Sequence, residues 1–259
     1  MKSPTILLLI VLFFGCKAQP YTVANAHSHN DYRQAVPFFT AYKAEFGSIE
    51  ADIFLEQGGL YVAHDTVELK KRRSLDSLYL IPLQQGILKN GGTVYPETAR
   101  ELLLLIDIKT DSIETLKALV TKLSGYPSLI HNRTLHFVIT GNRPDPADFG
   151  SWPEWLSFDG DLDKRYSSDQ LSRIALFSAN FATYAKWKGV GELPASDLRQ
   201  LTSQIAHAHD RNKKIRFWKA PDMPQAWQEL IHLQADYLNT DHIASLKSFL
   251  ESNAAGNGK

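Results

Sequence analysis

His29, Glu50, Asp52 and His64 are the side chains of this sequence best placed to do chemistry. They lie in the segments Ser28-His29-Asn30-Asp31-Tyr32, Ser48-Ile49-Glu50-Ala51-Asp52 and Val62-Ala63-His64-Asp65. Carboxylates at i and i+2 of a strand project from one face, so Glu50 and Asp52 can share a cation. Imidazoles titrate near neutrality, and a histidine on either side of that cation can carry protons to and from a reacting group. This order of groups points to metal-assisted phosphodiester chemistry. Asp107 and Lys109 repeat the i, i+2 spacing further along the chain.

The elements that must position these residues alternate in character. Strand-like segments are expected at 21–26, 48–55 (with a hairpin extension at 60–63), 102–108, 134–140, 156–158, 174–177, 214–218 and 237–238. Between them lie segments of helical period at 37–46, 111–123, 196–211, 223–233 and 242–250. The stretch 74–89 has helical spacing interrupted by Pro82 and Gly86, as two short helices would. Leu102 to Ile108 is a nearly continuous apolar run, expected of a strand buried on both faces of a parallel sheet. About eight strand-then-helix units predict an α/β fold, a single-domain TIM-type (β/α)8 barrel, over residues 19–251. Residues 252–259 are polar and Gly-rich and are expected to form a flexible tail. In such barrels the active site lies at the C-terminal ends of the strands. Those ends hold His27, His29, Glu50, Asp52, His64, Asp107, Lys109, Asn142, Arg143, Asp159, Asp161, Ser178, Asn180, Trp218, Lys219, Asn239 and Asp241. A third carboxylate at Asp107 and the neutral oxygen of Asn30 would complete an oxygen-rich shell for a hard cation, Mg²⁺ or Ca²⁺.

The chain has 259 residues, 44% apolar and 22% charged, and a formal net charge of zero, as in an ordinary globular protein. A nucleic-acid partner is disfavoured, because it would call for a basic stripe. The basic start at Lys2, the apolar run from Ile6 to Phe14 and the sole cysteine, Cys16, resemble a secretory signal over residues 1–18. Cys16 stands where a bacterial lipoprotein is cleaved and lipidated; cleavage after Ala18 is the alternative. The expectation is an exported protein of the bacterial periplasm or cell surface, tied to the membrane if Cys16 is acylated. With no other cysteine, disulfides, thiolate metal sites and Cys nucleophiles are excluded from the mature domain.

The pattern Ser28-His29-Asn30-x-Tyr32, then Ile49-Glu50-x-Asp52 and a later histidine, resembles the X-domain of phosphoinositide-specific phospholipase C. The segments Ile49 to Leu55, Gly58 to Asp65, Ile106-Asp107-Ile108-Lys109, Trp218 and Tyr237-Leu238-Asn239-Thr240-Asp241 look more like a glycerophosphodiester phosphodiesterase. Both belong to one PLC-like phosphodiesterase superfamily of distorted TIM barrels. The resemblance implies His29 and His64 as catalytic residues and Glu50, Asp52, Asp107 and Asn30 as ligands of one divalent cation. It also implies that Lys109 contacts the phosphate and that Trp218 lines the pocket. The His-Arg-Gly of glycerophosphodiesterases is absent, and the spacing before Glu50 is short, so His27 is an alternative to His29.

The function so implied is an exported, metal-dependent phosphodiesterase acting on a glycerophosphodiester or phospholipid-like substrate by two-histidine acid–base catalysis. One alternative is a metal-dependent phosphoesterase or amidohydrolase using His27 and His29 as an His-x-His pair. That enzyme would need more histidines at later strand ends, which carry Asn, Asp, Ser, Trp and Asn instead. Another is a catalytically inactive ligand-binding barrel, which has no need of two proton-transfer groups. His207 and His209 read as structural or solvated, and Asp159 and Asp161 equally as turn residues or substrate contacts. Lys70-Lys71-Arg72-Arg73 reads as a solvated loop that could touch anionic lipid headgroups.

Overall fold

The structure, a computed structural model, describes residues 20–256. The Cys16 segment lies outside them. The strands are β1 (Ala26–Ser28), β2 (Ser48–Glu56), β3 (Gly59–Val62), β4 (Leu102–Ile108), β5 (Leu135–Gly141), β6 (Leu156–Gly160), β7 (Ile174–Asn180), β8 (Lys214–Trp218) and β9 (Leu238–Thr240). Eight of them pair in parallel in the order β8-β7-β6-β5-β4-β2-β1-β9, while β3 folds back antiparallel on β2. The ring nearly closes between β8 and β9. There a single bridge joins Arg216 to Tyr237, and the backbone N–H groups of Asp236 and Tyr237 both donate to the Ile215 carbonyl. The expected TIM-type α/β barrel is therefore the fold.

Strand alternation sorts every side chain. Ile49, Ala51 and Ile53 of β2, with Leu104, Ile106 and Ile108 of β4, face outward and pack in the core under the helices. Leu103, Leu105, Val138, Leu176 and Tyr237 form a separate small cluster. This inner cluster lies low in the barrel, and the same alternation continues upward from Leu105 to Asp107 and Lys109. Burying an apolar floor costs nothing in hydrogen bonding, so the polar inward residues concentrate at the C-terminal end of the strands, where water and ligands reach them.

Three boundaries differ from expectation. The first strand starts at Ala26 rather than at 21, because Thr22 caps a 3₁₀ turn over Val23–Asn25 and Asn25 bonds back to the Thr22 N–H at 3.1 Å. The stretch expected as two short helices is continuous from Asp76 to Lys89. Its first turn, Asp76–Leu80, is a wide π turn closed by the Ile81 N–H on the Asp76 carbonyl, and the widening immediately before Pro82 makes room for a ring that a regular α turn would crowd. The last helix runs Ile243–Gly256, so the segment expected as tail is helical through Ala254-Ala255, strong helix formers.

Candidate active site

A cavity of about 690 Å³ opens at the C-terminal ends of the strands. On its floor β2 places Glu50 and Asp52, 4% and 2% exposed, and the neighbouring strand places Asp107 level with Asp52. One oxygen from each of Glu50, Asp52 and Asp107 lies within 4.8 Å of the others. They are the only such group of three potential metal-ligating residues among the described residues. Asp107 Oδ1 is buried without a hydrogen-bond partner. Three converging carboxylates, one of which keeps an oxygen without a hydrogen-bond partner, are a donor set that fits a divalent cation. Burial, then the fields of Asp52 and Glu50, push the Asp107 carboxyl up to about 6.

Two basic residues already balance these acids. Lys109 Nζ bridges Asp52 at 2.9 Å and Asp107 at 2.8 Å. Burial opposes its charge, but those two carboxylates hold its pKa above the usual lysine range. Arg216, from the middle of β8, donates to Glu50 Oε2 at 2.7 Å, Asn239 Oδ1 at 3.1 Å and Ser178 Oγ at 2.7 Å. Burial would raise the Glu50 pKa, yet Arg216 and the bond to His27 hold it well below the ordinary carboxylate range.

The two candidate histidines of β1 occupy different depths. His27 is wholly buried, with Nε2 at 2.8 Å from Glu50 Oε2 and Nδ1 at 2.8 Å from Ser48 Oγ. Burial and the Arg216 charge lower its pKa to about 3, so it stays neutral. Of the two alternatives, His27 buttresses Glu50 and is not among the residues that line the cavity. His29, one layer higher, lines the cavity with its Nδ1 2.8 Å from Asp241 Oδ1. Burial opposes protonation of His29, but the Asp241 hydrogen bond and the fields of Glu50 and Asp241 raise its pKa above 6.5. The pair does not converge as an His-x-His ligand set would. His64, at the end of β3, turns Nδ1 to Asp52 at 3.2 Å and to the Tyr32 hydroxyl at 3.1 Å. Its side chain is 44% exposed on the cavity wall.

Asn30 directs its amide nitrogen to Asp241 at 3.3 Å, and its Oδ1 lies 2.8 Å from the Tyr32 hydroxyl. The hydroxyl of Tyr32, which is fully buried, is equally 2.8 Å from Asp52 Oδ2, so its single proton is shared between these two acceptors. Trp218 lines the cavity at the end of β8. Arg143 pairs with Asp161, which also accepts from Lys164 at 2.9 Å. His209 pairs with Asp236 at 2.9 Å, and His207 with Arg211. Sequence reasoning missed Arg216 and the partnership of Asp241 with His29. The signal for Arg216 was a charged residue on the inward alternation of Lys214-Ile215-Arg216-Phe217-Trp218, between outward Ile215 and Phe217.

Residues 18–135 match a family model described as an AIM6-like phosphodiesterase domain, and residues 214–244 match one for the glycerophosphoryl diester phosphodiesterase family. The chain is similar to the altered inheritance of mitochondria protein 6 homolog of Arthroderma benhamiae, 27% identical over 86% of this chain and 82% of that one. It is also similar to altered inheritance of mitochondria protein 6 of Kluyveromyces lactis, 26% identical over 88% of this chain and 72% of that one. Among solved structures it resembles a glycerophosphodiester phosphodiesterase from Parabacteroides distasonis (TM-score 0.54, 13% identity, 89% of this chain and 98% of that one). It resembles as well an Oleispira antarctica phosphodiesterase in complex with the product sn-glycerol-3-phosphate (TM-score 0.51, 13% identity, 87% and 95%). These findings correct two expectations. The sequence relatives are fungal, which points to a eukaryotic protein and not to a bacterial periplasmic or cell-surface lipoprotein. The exported bacterial enzyme expected from the leader falls with it; the domain match supports a phosphodiesterase family and does not itself show metal-dependent catalysis.

Proposed function

Because the chain belongs to the PLC-like phosphodiesterase superfamily of TIM barrels, we propose that it hydrolyses a small-molecule phosphodiester at the mouth of the barrel. The observation that carries this reading is the convergence of Glu50, Asp52 and Asp107 within 4.8 Å beside the cavity-facing His29–Asp241 pair. The three carboxylates would hold Mg²⁺ or Ca²⁺, which when bound acts as a Lewis acid toward a phosphoryl oxygen.

The chain's own residues do the rest. With its Nδ1–H donated to Asp241, His29 presents Nε2 to the cavity as a proton acceptor, and Asp241 steadies the charge it gains. Asn30 serves that pair through its amide nitrogen, which lies beside both His29 and Asp241. Lys109 lies beside the carboxylates to offset negative charge growing on the phosphoryl group. His64, oriented by Asp52 and Tyr32, is the second group that can carry a proton, and Trp218 walls the leaving-group side.

The test is turnover of a panel of glycerophosphodiesters by the purified protein, followed by ³¹P NMR with added Mg²⁺, Ca²⁺ or EDTA. His29→Ala should lower kcat by ~10²–10⁴-fold, the usual worth of one proton-transfer group. Full activity in that variant would overturn the assignment.

A further inference from the structure

Five lysine and arginine side chains line the cavity: Arg33, Lys109, Arg143, Arg216 and Lys219. Four are committed to carboxylates. Arg33 pairs with Glu68 at 3.2 Å, Lys109 with Asp52 and Asp107, Arg143 with Asp161, and Arg216 with Glu50 at 2.7 Å. Lys219 makes no ion pair among the described residues; its ammonium instead sits 4.9 Å from the centroid of the Trp218 ring. Its backbone has φ +57°, the left-handed region that residues other than glycine, asparagine and aspartate adopt infrequently. A strained residue immediately after a barrel strand, holding an unpaired charge against the cavity wall, has the marks of a binding group.

Its place in the ring says what it would bind. In the order β8-β7-β6-β5-β4-β2-β1-β9, β8 stands four strands from β4 in either direction once the seam is crossed. Lys219 thus faces the carboxylate cluster and Lys109 from the opposite wall. On the reading given above, the scissile phosphodiester lies against that cluster and its charge is met there. We infer that Lys219, with Trp218 beneath it, forms a subsite for a second negative charge on the substrate. The preferred phosphodiesters carry an additional carboxylate or phosphate on the far side of the scissile bond.

Glycerophosphoserine and glycerophosphoethanolamine differ by one carboxylate and supply the test. The wild-type protein should favour the serine compound in kcat/KM by about fivefold, the size of one exposed ion pair. Lys219→Gln should bring the ratio to about one, and Lys219→Arg should keep it. Equal turnover of the two by the wild type, or a preference that survives Lys219→Gln, overturns the subsite. If neither compound is turned over, the phosphodiesterase reading fails separately. Calorimetric binding of the same two compounds to the wild type and Lys219→Gln then decides the subsite by the same ratio.

Discussion

At the scale of single residues, the geometry of Asp107 depends on a glycine. Gly141 has φ +70°, and a Cβ there would lie 1.9 Å from Asp107 Oδ1 and 2.7 Å from the Ile108 carbonyl. Both are backbone or tightly packed atoms, so the carboxylate itself must give way. Gly141→Ala should lower stability by about 1–3 kcal/mol, read by urea unfolding; on the proposed reading it should also weaken binding of added Mg²⁺ by roughly tenfold, read by calorimetry. The His29–Asp241 pair carries a pH dependence of definite sign. Folding raises the His29 pKa above 6.5, so its contribution to stability is fully present below pH 6.5 and is lost as pH rises through the folded value. The melting-temperature gap between wild type and Asp241→Asn should therefore be widest in mildly acidic buffer and shrink by pH 8. A gap that grows toward alkaline pH would contradict the pairing.

At the scale of elements, β8 does more than complete the sheet. Its inward Arg216, 4% exposed, ties β2 through Glu50, β7 through Ser178 and β9 through Asn239. Arg216→Ala would leave Glu50 charged and buried without its partner. The expected loss is about 3–5 kcal/mol in chemical unfolding, well above that of an exposed arginine. How far the sequence could be read follows from the same strands. The i, i+2 spacing of Glu50 with Asp52 and of Asp107 with Lys109 was legible, because strand alternation is a local property. The barrel was legible too, from the recurring strand-then-helix order. The depth of His27 against His29 was not, since both point inward and only the radial layering of the finished barrel separates them. Nor was the capture of Glu50 by Arg216, 166 residues away along the chain. The 3₁₀ turn before β1 was missed because Thr22 and Asn25 hold it by side-chain bonds that compete with extended backbone.

At the scale of the whole molecule, the ring is uneven. The β2–β4 and β4–β5 pairs run in register over six and seven residues, whereas β8 and β9 meet at one bridge. Hydrogen exchange should show the amides of Asp236, Tyr237 and Ile215 opening well before those of Leu103 to Ile106. Uniform protection around the ring would argue that the seam is as firm as the rest. The balance of charge on the floor of the mouth has a wider consequence. Glu50, Asp52 and Asp107 bring three negative charges, and Lys109 and Arg216 return two positive ones, leaving one uncancelled. A site so balanced can assemble during synthesis without waiting for an ion. On the proposed reading, scarcity of the ion would leave a standing pool of folded, idle molecules rather than degraded ones. Renewed supply would restore turnover as fast as ions diffuse, with no new protein made.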